Sequence, residues 1–341
     1  QLGGTRAAPT LDGGARLQDA AARIPLFGIT VEAVDVTVSA GDDDDLVVAG
    51  SARSGEGVVE LSGRIGVAEE TGLFADLALK GDRFQLVRLP DQSAWISPDV
   101  TARFDDGRVE FDGRVLVPEA AFQLRELGDS AIDTSDDVVV HREGAGPGEA
   151  RSYSRIAGRL DIALGDNVTF EGAGLSTRLT GGLLLTFRPG APPAGEGAFQ
   201  LVDGTFDALS REMLIERGSL NFYGPLDDPV VDARATRRFR YEARDIKLGI
   251  ILSGRVSQQL DFKLFSEPAM SEADILSFMV VGRPASSGDG DDSAMTGAAL
   301  ALGLQSLTAR RGTGDTLSLD EISFEGGGAD DTSVVAGKRI G

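Results

Sequence analysis

His141, in the stretch VVVHREG, is the only histidine in 341 residues, and cysteine is absent. One imidazole cannot assemble a multi-histidine metal site. Without thiols there is no disulfide, no cysteine nucleophile and no sulfur-ligated zinc or iron–sulfur centre. Neither a G-x-S-x-G elbow nor a phosphate-cradling loop accompanies the histidine, which reads as a surface or strand-end residue. Carboxylates are the other reactive groups. A glycoside-cleaving pair needs two acids about 5–10 Å apart in one cleft, but among 54 acidic residues such pairs arise by chance. The clusters GDDDDL (41–46) and SGDGDDS (287–293) offer oxygens to calcium, yet neither has the spaced acids and distant glutamate of a calcium loop. Both read as solvated turns, as do Asp227 and Asp228 in GPLDDP, and Trp95 reads as a packing residue. The reading is of no catalytic residue, no metal and no cofactor: not an enzyme.

Apolar surface is what remains. In IKLGIILSGRV (246–256), Ile246, Leu248, Ile250 and Leu252 stand at alternate positions, while the intervening residues are polar or small except Ile251. Such a pattern makes a strand with one greasy face. The same alternation recurs at Val109/Phe111/Val115, Leu183/Leu185/Phe187, Leu220/Phe222 and Leu260/Phe262/Leu264, with turn-like separators at 105–107, 188–197 and 223–229. Many short strands at this spacing predict an all-β architecture of hairpins. A weak repeat supports it: VELSGRI, VEFDGRV, SRIAGRL and IILSGRV each carry Gly-Arg at the same place, favouring an elongated structure over a globule.

Helix signals are few. PEAAFQLREL (118–127) is a short candidate. SEADILSFMVVG (271–282) is better, with Ser271 as N-cap, acids in its first turn and Gly282 at its stop. A third candidate covers 292–310. So few helices, all but one near the C-terminus, cannot cover the apolar faces of roughly 15–20 strands. The sheet must therefore fold over on itself, and if it curls without closing, its lining needs a non-protein guest. The predicted fold is an elongated antiparallel sheet curled into a trough with an apolar interior, plus one or two short helices near the C-terminus.

Composition narrows the setting. Thirty-three basic against 54 acidic residues give a net charge of −21, which repels nucleic acid and anionic headgroups but does not forbid sheltering lipid tails. Forty-five glycines, nearly twice the usual share of about 7%, suit turns and bulges. No run of about 18 apolar residues occurs. The chain opens on Gln1 without a charged-then-apolar leader, so it reads as part of a longer protein whose anchor lies upstream.

From about residue 107 the order of motifs resembles the C-terminal domain of TamB. The resemblance rests on VPEAAFQL…DTSDDVVV (117–140), GRLDIALGDNVTFEGAGLSTRLTGGLLL (158–185) and GTFDALSREMLIERGSLNFYGPLDDPVVDARATR (204–237). It continues through LGIILSGRVSQQLDFKLFSEPAMSEADILSFMVVGRP (248–284) to GDTLSLDEISFEGG (314–327) and VVAGKRIG (334–341). Residues 1–106 match by pattern only. Two departures stand out: DALSREMLI replaces a Tyr-Gly turn, and the chain stops soon after VAGK.

The resemblance implies a periplasmic lipid-conduit segment anchored to the inner membrane through an upstream segment. Phospholipid would be carried between the inner and outer membranes, with the outer-membrane barrel TamA as partner. Its lining would be Ile246, Leu248, Ile250, Leu252, Leu260, Phe262, Leu264, Leu220, Phe222, Leu183, Leu185, Phe187, Val109, Phe111 and Val115. Ile275, Leu276, Phe278 and Met279 would meet the partner. The expected organisation is strand repeats over 1–106 that continue an upstream groove, the TamB-like groove over 107–270, and a helix-containing docking segment over 271–341. The alternative is a chaperone-like module for unfolded outer-membrane proteins and autotransporters, offering sheet edges for strand addition.

Overall fold

The computed structural model describes residues 2–5, 8–11, 13–41, 45–68, 72–124, 155–172, 174–208, 211–258, 260–284, 321–325 and 333–337. His141, the cluster at 287–293, residues 42–44 of the cluster at 41–46 and the helix candidate at 292–310 lie outside them. Two short pairs stand apart: β1 (Leu2–Thr5) with β2 (Ala8–Leu11), and β18 (Glu321–Glu325) with β19 (Ser333–Gly337). The strands described between them build one 15-stranded sheet. Its first half holds β3 (Ala15–Ile24), β4 (Ile29–Ala40), β5 (Leu46–Ser54), β6 (Gly57–Ala68), β7 (Gly72–Asp82), β8 (Phe84–Leu89), β9 (Gln92–Asp105) and β10 (Arg108–Leu124). The second holds β11 (Ile156–Gly172), β12 (Leu175–Phe187), β13 (Ala194–Ala208), β14 (Arg211–Pro225), β15 (Val230–Tyr241), β16 (Arg244–Arg255) and β17 (Asp261–Glu267).

Spatial order follows sequence order, because short turns join antiparallel neighbours. The exceptions are two. β10 and β11 pair in parallel, Val109 opposite Ile156, since β10 ends at one rim of the sheet and β11 starts at the other. β8 continues β7 past Arg83, which sits at φ 46°, and pairs only with the start of β9. It then runs across the ends of the preceding hairpins, Ser54 Oγ donating to the Gln85 carbonyl (2.8 Å) and the Arg88 amide to that of Phe27 (2.8 Å). The outer edges of β3 and β17 are unpaired with each other, so the sheet is curled but not closed.

The curl has a visible cause. Register shifts fall in line across neighbouring strands: between Leu116 and Glu119 on β9–β10, Val117 and Glu119 on β10–β11, and Leu164 and Val168 on β11–β12. Each bulge bends its strand, and aligned bulges make a crease. Ala94, Ala120 and Val168 beside it are buried, with Val87, Val117, Leu164 and Leu179 packed around them. Among the described residues no helix contributes to this cluster; the cover is the sheet itself, folded toward its apolar face. Alanine at 94 and 120 leaves room for the two flanks to approach.

The expected helix at 118–127 is not formed over its described part. Residues 118–124 are the end of β10, where Val117, Ala120, Phe122 and Leu124 share one face. Pro118 opens no helix because it sits at the bulge, where a missing amide costs no ladder bond. The later candidate is borne out as α1 (Glu272–Val280). Ser271 accepts from the Asp274 amide (3.2 Å), and Gly282 at φ 86° closes the other end.

Candidate ligand-binding groove

Register shows what the alternation builds. In-register partners share a face, and one row crosses nine strands as Ala15–Val38–Val48–Gly63–Leu77–Ala102–Phe111–Gly158–Phe187. Another runs Leu61–Leu79–Val100–Gly113–Leu160–Leu185, and another Val115–Ile162–Leu183–Gly197–Phe222. The rows contain no charged residue. Aromatic rings fill the space above the glycines: Phe111 lies over Gly158 and meets Phe187 edge-on, centroids 5.1 Å apart, and Phe199 meets Phe222 at 5.5 Å. The apolar face thus continues from strand to strand across the sheet.

One residue away along each strand, the opposite face carries rows of alternating sign. Arg64–Asp76–Arg103–Glu110 and Lys80–Asp99–Arg114–Asp161 both run in register across the sheet. Asp76 accepts from Arg103 (2.7 Å) and Arg64 (3.0 Å), which together hold its carboxyl below the ordinary range against a partial loss of hydration. Lys247 reaches Glu216 at 2.6 Å and lowers its pKa likewise; Arg234 Nε stands 3.2 Å from the same carboxylate without hydrogen-bond alignment and lies over the Phe265 ring at 4.0 Å. Asp228, read from sequence as a plain turn residue, binds Ser257 and Arg255 and so pins the β14–β15 turn to the end of β16; these bonds lower its pKa too. A cavity of ≈810 Å³ is lined by the charged residues Asp76, Arg103, Glu110, Asp112 and Arg159 and also by Gly63, Leu77, Ala102, Phe111, Gly158 and Phe187 of the first apolar row. Among the described residues no group of three or more acids or histidines is placed to hold a metal.

The lining residues expected from sequence share the apolar face where they fall in strands: Val109, Phe111 and Val115 on β10, Leu183, Leu185 and Phe187 on β12, Leu220 and Phe222 on β14, and Phe262 and Leu264 on β17. Leu260 precedes β17 and belongs to no strand. On β16, Leu252 is half-buried, but Ile246, Leu248 and Ile250 are covered, Leu248 at 0% exposure. Their cover is α1. Ile275, Phe278 and Met279 pack on them together with Met213 and Ala235, and Phe278 meets the Tyr241 ring at 5.4 Å. The four helix residues expected to face a partner are all buried, and three of them, Ile275, Phe278 and Met279, pack on the chain's own sheet. Sequence reasoning missed Arg211, whose guanidinium donates to the Val280 carbonyl at the helix end (3.3 Å), and Ser277, whose buried hydroxyl has no partner. Five consecutive buried residues, Ile275 to Met279, show that α1 is enclosed on more than one side, and the near-continuous apolar run ILSFMVV was the available sequence signal.

Fold and face together define a class: a long open β-sheet, ion-paired outside and apolar inside, with the inside able to shelter an elongated apolar ligand. The chain belongs to the TamB C-terminal domain family, whose description matches residues 10–340, reaching back through the part where individual motifs are silent. It is 24% identical over 352 residues to translocation and assembly module subunit TamB of Haemophilus influenzae, an alignment covering 98% of this chain and 27% of that protein. The chain thus spans about a quarter of that relative's length. Among the described residues no helix is long and apolar enough to cross a membrane.

Proposed function

We propose that this chain is a non-enzymatic segment of a periplasmic lipid conduit. Phospholipid acyl chains lie along the apolar rows while headgroups stay at the open rim, and the segment works with TamA in outer-membrane biogenesis. An upstream anchor in the inner membrane completes the bridge. The observation that carries the reading is the unbroken apolar lining that crosses strand after strand without a charge, backed by a face of paired ions. Each methylene sheltered from water is worth about 0.8 kcal/mol. That gain is non-directional, so a tail is held and can still slide. The relative's place in a translocation and assembly module agrees with an envelope-building task.

Among the described residues no strand pairs the outer edges of β3 and β17, which favours one second reading, strand addition by an unfolded outer-membrane protein. Photo-crosslinking in cells separates the two. Leu185 lies in the lining and Leu184, the same residue type one step along β12, on the opposite face. A benzophenone side chain at 185 is expected to capture phospholipid and one at 184 is not. Polypeptide adducts, or lipid at neither position, would sink the conduit reading.

A further inference from the structure

We propose that α1 is a displaceable occupant of the groove, seated where a phospholipid binds: the acyl chain takes the place of α1 on Met213, Ile246, Leu248 and Ile250, and the headgroup phosphate takes the place of the Val280 carbonyl on Arg211. This rests on the reading that the apolar face holds acyl chains. The helix has the chemistry of such a ligand. Its middle is apolar and fully enclosed, and its end presents the partial negative charge of free carbonyls to a guanidinium. A phosphate oxygen is a stronger acceptor for that guanidinium than a peptide carbonyl.

Three features make the seat reversible. Nine residues are too few for a helix to persist undocked, so α1 exists as a helix only while it occupies the groove. The Ser277 hydroxyl is buried without a partner, a defect that alanine would remove. The N-terminal end is held locally, by the Ser271 cap and the bond from the Met270 amide to Ser266 Oγ (2.8 Å), so the helix can leave without releasing β17.

The test uses the whole chain with dodecyl phosphate below its micelle concentration, and dodecyl maltoside as the uncharged control. Amide exchange at Ile275–Val280 is expected to accelerate when dodecyl phosphate binds. Ser271→Ala, which loosens the helix, is expected to tighten apparent binding about fivefold. Ser277→Ala, which removes the defect, is expected to weaken it by a similar factor. Arg211→Gln is expected to abolish the preference for phosphate over maltoside. If dodecyl phosphate binds while exchange in α1 is unchanged, or if the two serine variants shift affinity in the same direction, α1 is a fixed wall and the inference falls while the conduit reading stands. If neither amphiphile binds, both fall.

Discussion

Asp76 is held by two guanidiniums from different strands, one on each side of it in the same outward row. A carboxyl held below its ordinary 3.8 lends stability that is whole above that value and is lost as pH falls through 3.8 toward the lowered one. Asp76→Asn is expected to lower the unfolding free energy by about 0.5–1 kcal/mol at pH 7, the scale of half-exposed ion pairs. The difference from the parent should shrink in urea titrations as pH falls below 3.8. On the other face, a side chain at Gly158 would meet both the carbonyl and the ring of Phe111. Gly158→Val should therefore cost about 1–3 kcal/mol by overpacking, read from the urea midpoint. The Gly-Arg repeat was legible in the sequence, but its two halves were not. Glycine keeps the lining flat at Gly63, Gly113 and Gly158, while the next arginine turns outward to a cross-strand aspartate. Cross-strand partners cannot be read before register is known.

Strands and the one described helix were legible for different reasons. Alternation marked β10, β12, β14 and β16 because one face is apolar over most of their length. Caps marked α1, since Ser271 and Gly282 act within a few residues of themselves. The stretch at 118–124 was misread because Pro118 before an alanine pair looks like a helix start, whereas its true setting is a bulge fixed by strands β9 and β11. The side on which α1 packs was invisible too, because docking depends on residues up to some 70 positions away, as with Arg211 and Val280. The parallel step from β10 to β11 likewise leaves no local mark. Bulges at the crease require small neighbours, which gives an element-scale test. Ala120 is 1% exposed and packs with Ala94 and Val168. Ala120→Leu should force the flanks apart, lowering the melting temperature and exposing apolar surface to a dye such as ANS. An unchanged melt would mean that the crease does not depend on close approach there.

Across the whole molecule, the decisive contrast is between two faces of one sheet. A net charge of −21 keeps the outer face in water, and the paired rows spread that charge so that neighbours attract rather than repel. The inner rows have no such partners to offer, so a carboxylate placed there loses hydration without compensation and drives an apolar ligand out. Position within the trough matters. At Leu248 a charge would strike α1 first and confuse helix docking with ligand loss, because that side chain is wholly covered by the chain itself. Leu183 and Leu185, on β12 and away from α1, avoid the ambiguity. Leu183→Asp with Leu185→Asp should strip phospholipid from the purified chain, measured as lipid phosphorus per protein. Leu184→Asp, which faces outward at 37% exposure, should leave it unchanged. Both variants must first show the parent's strand signal in circular dichroism. If the folded double variant keeps its lipid, tails are not what the rows hold, and the outer edges of β3 and β17 become the surface to test next.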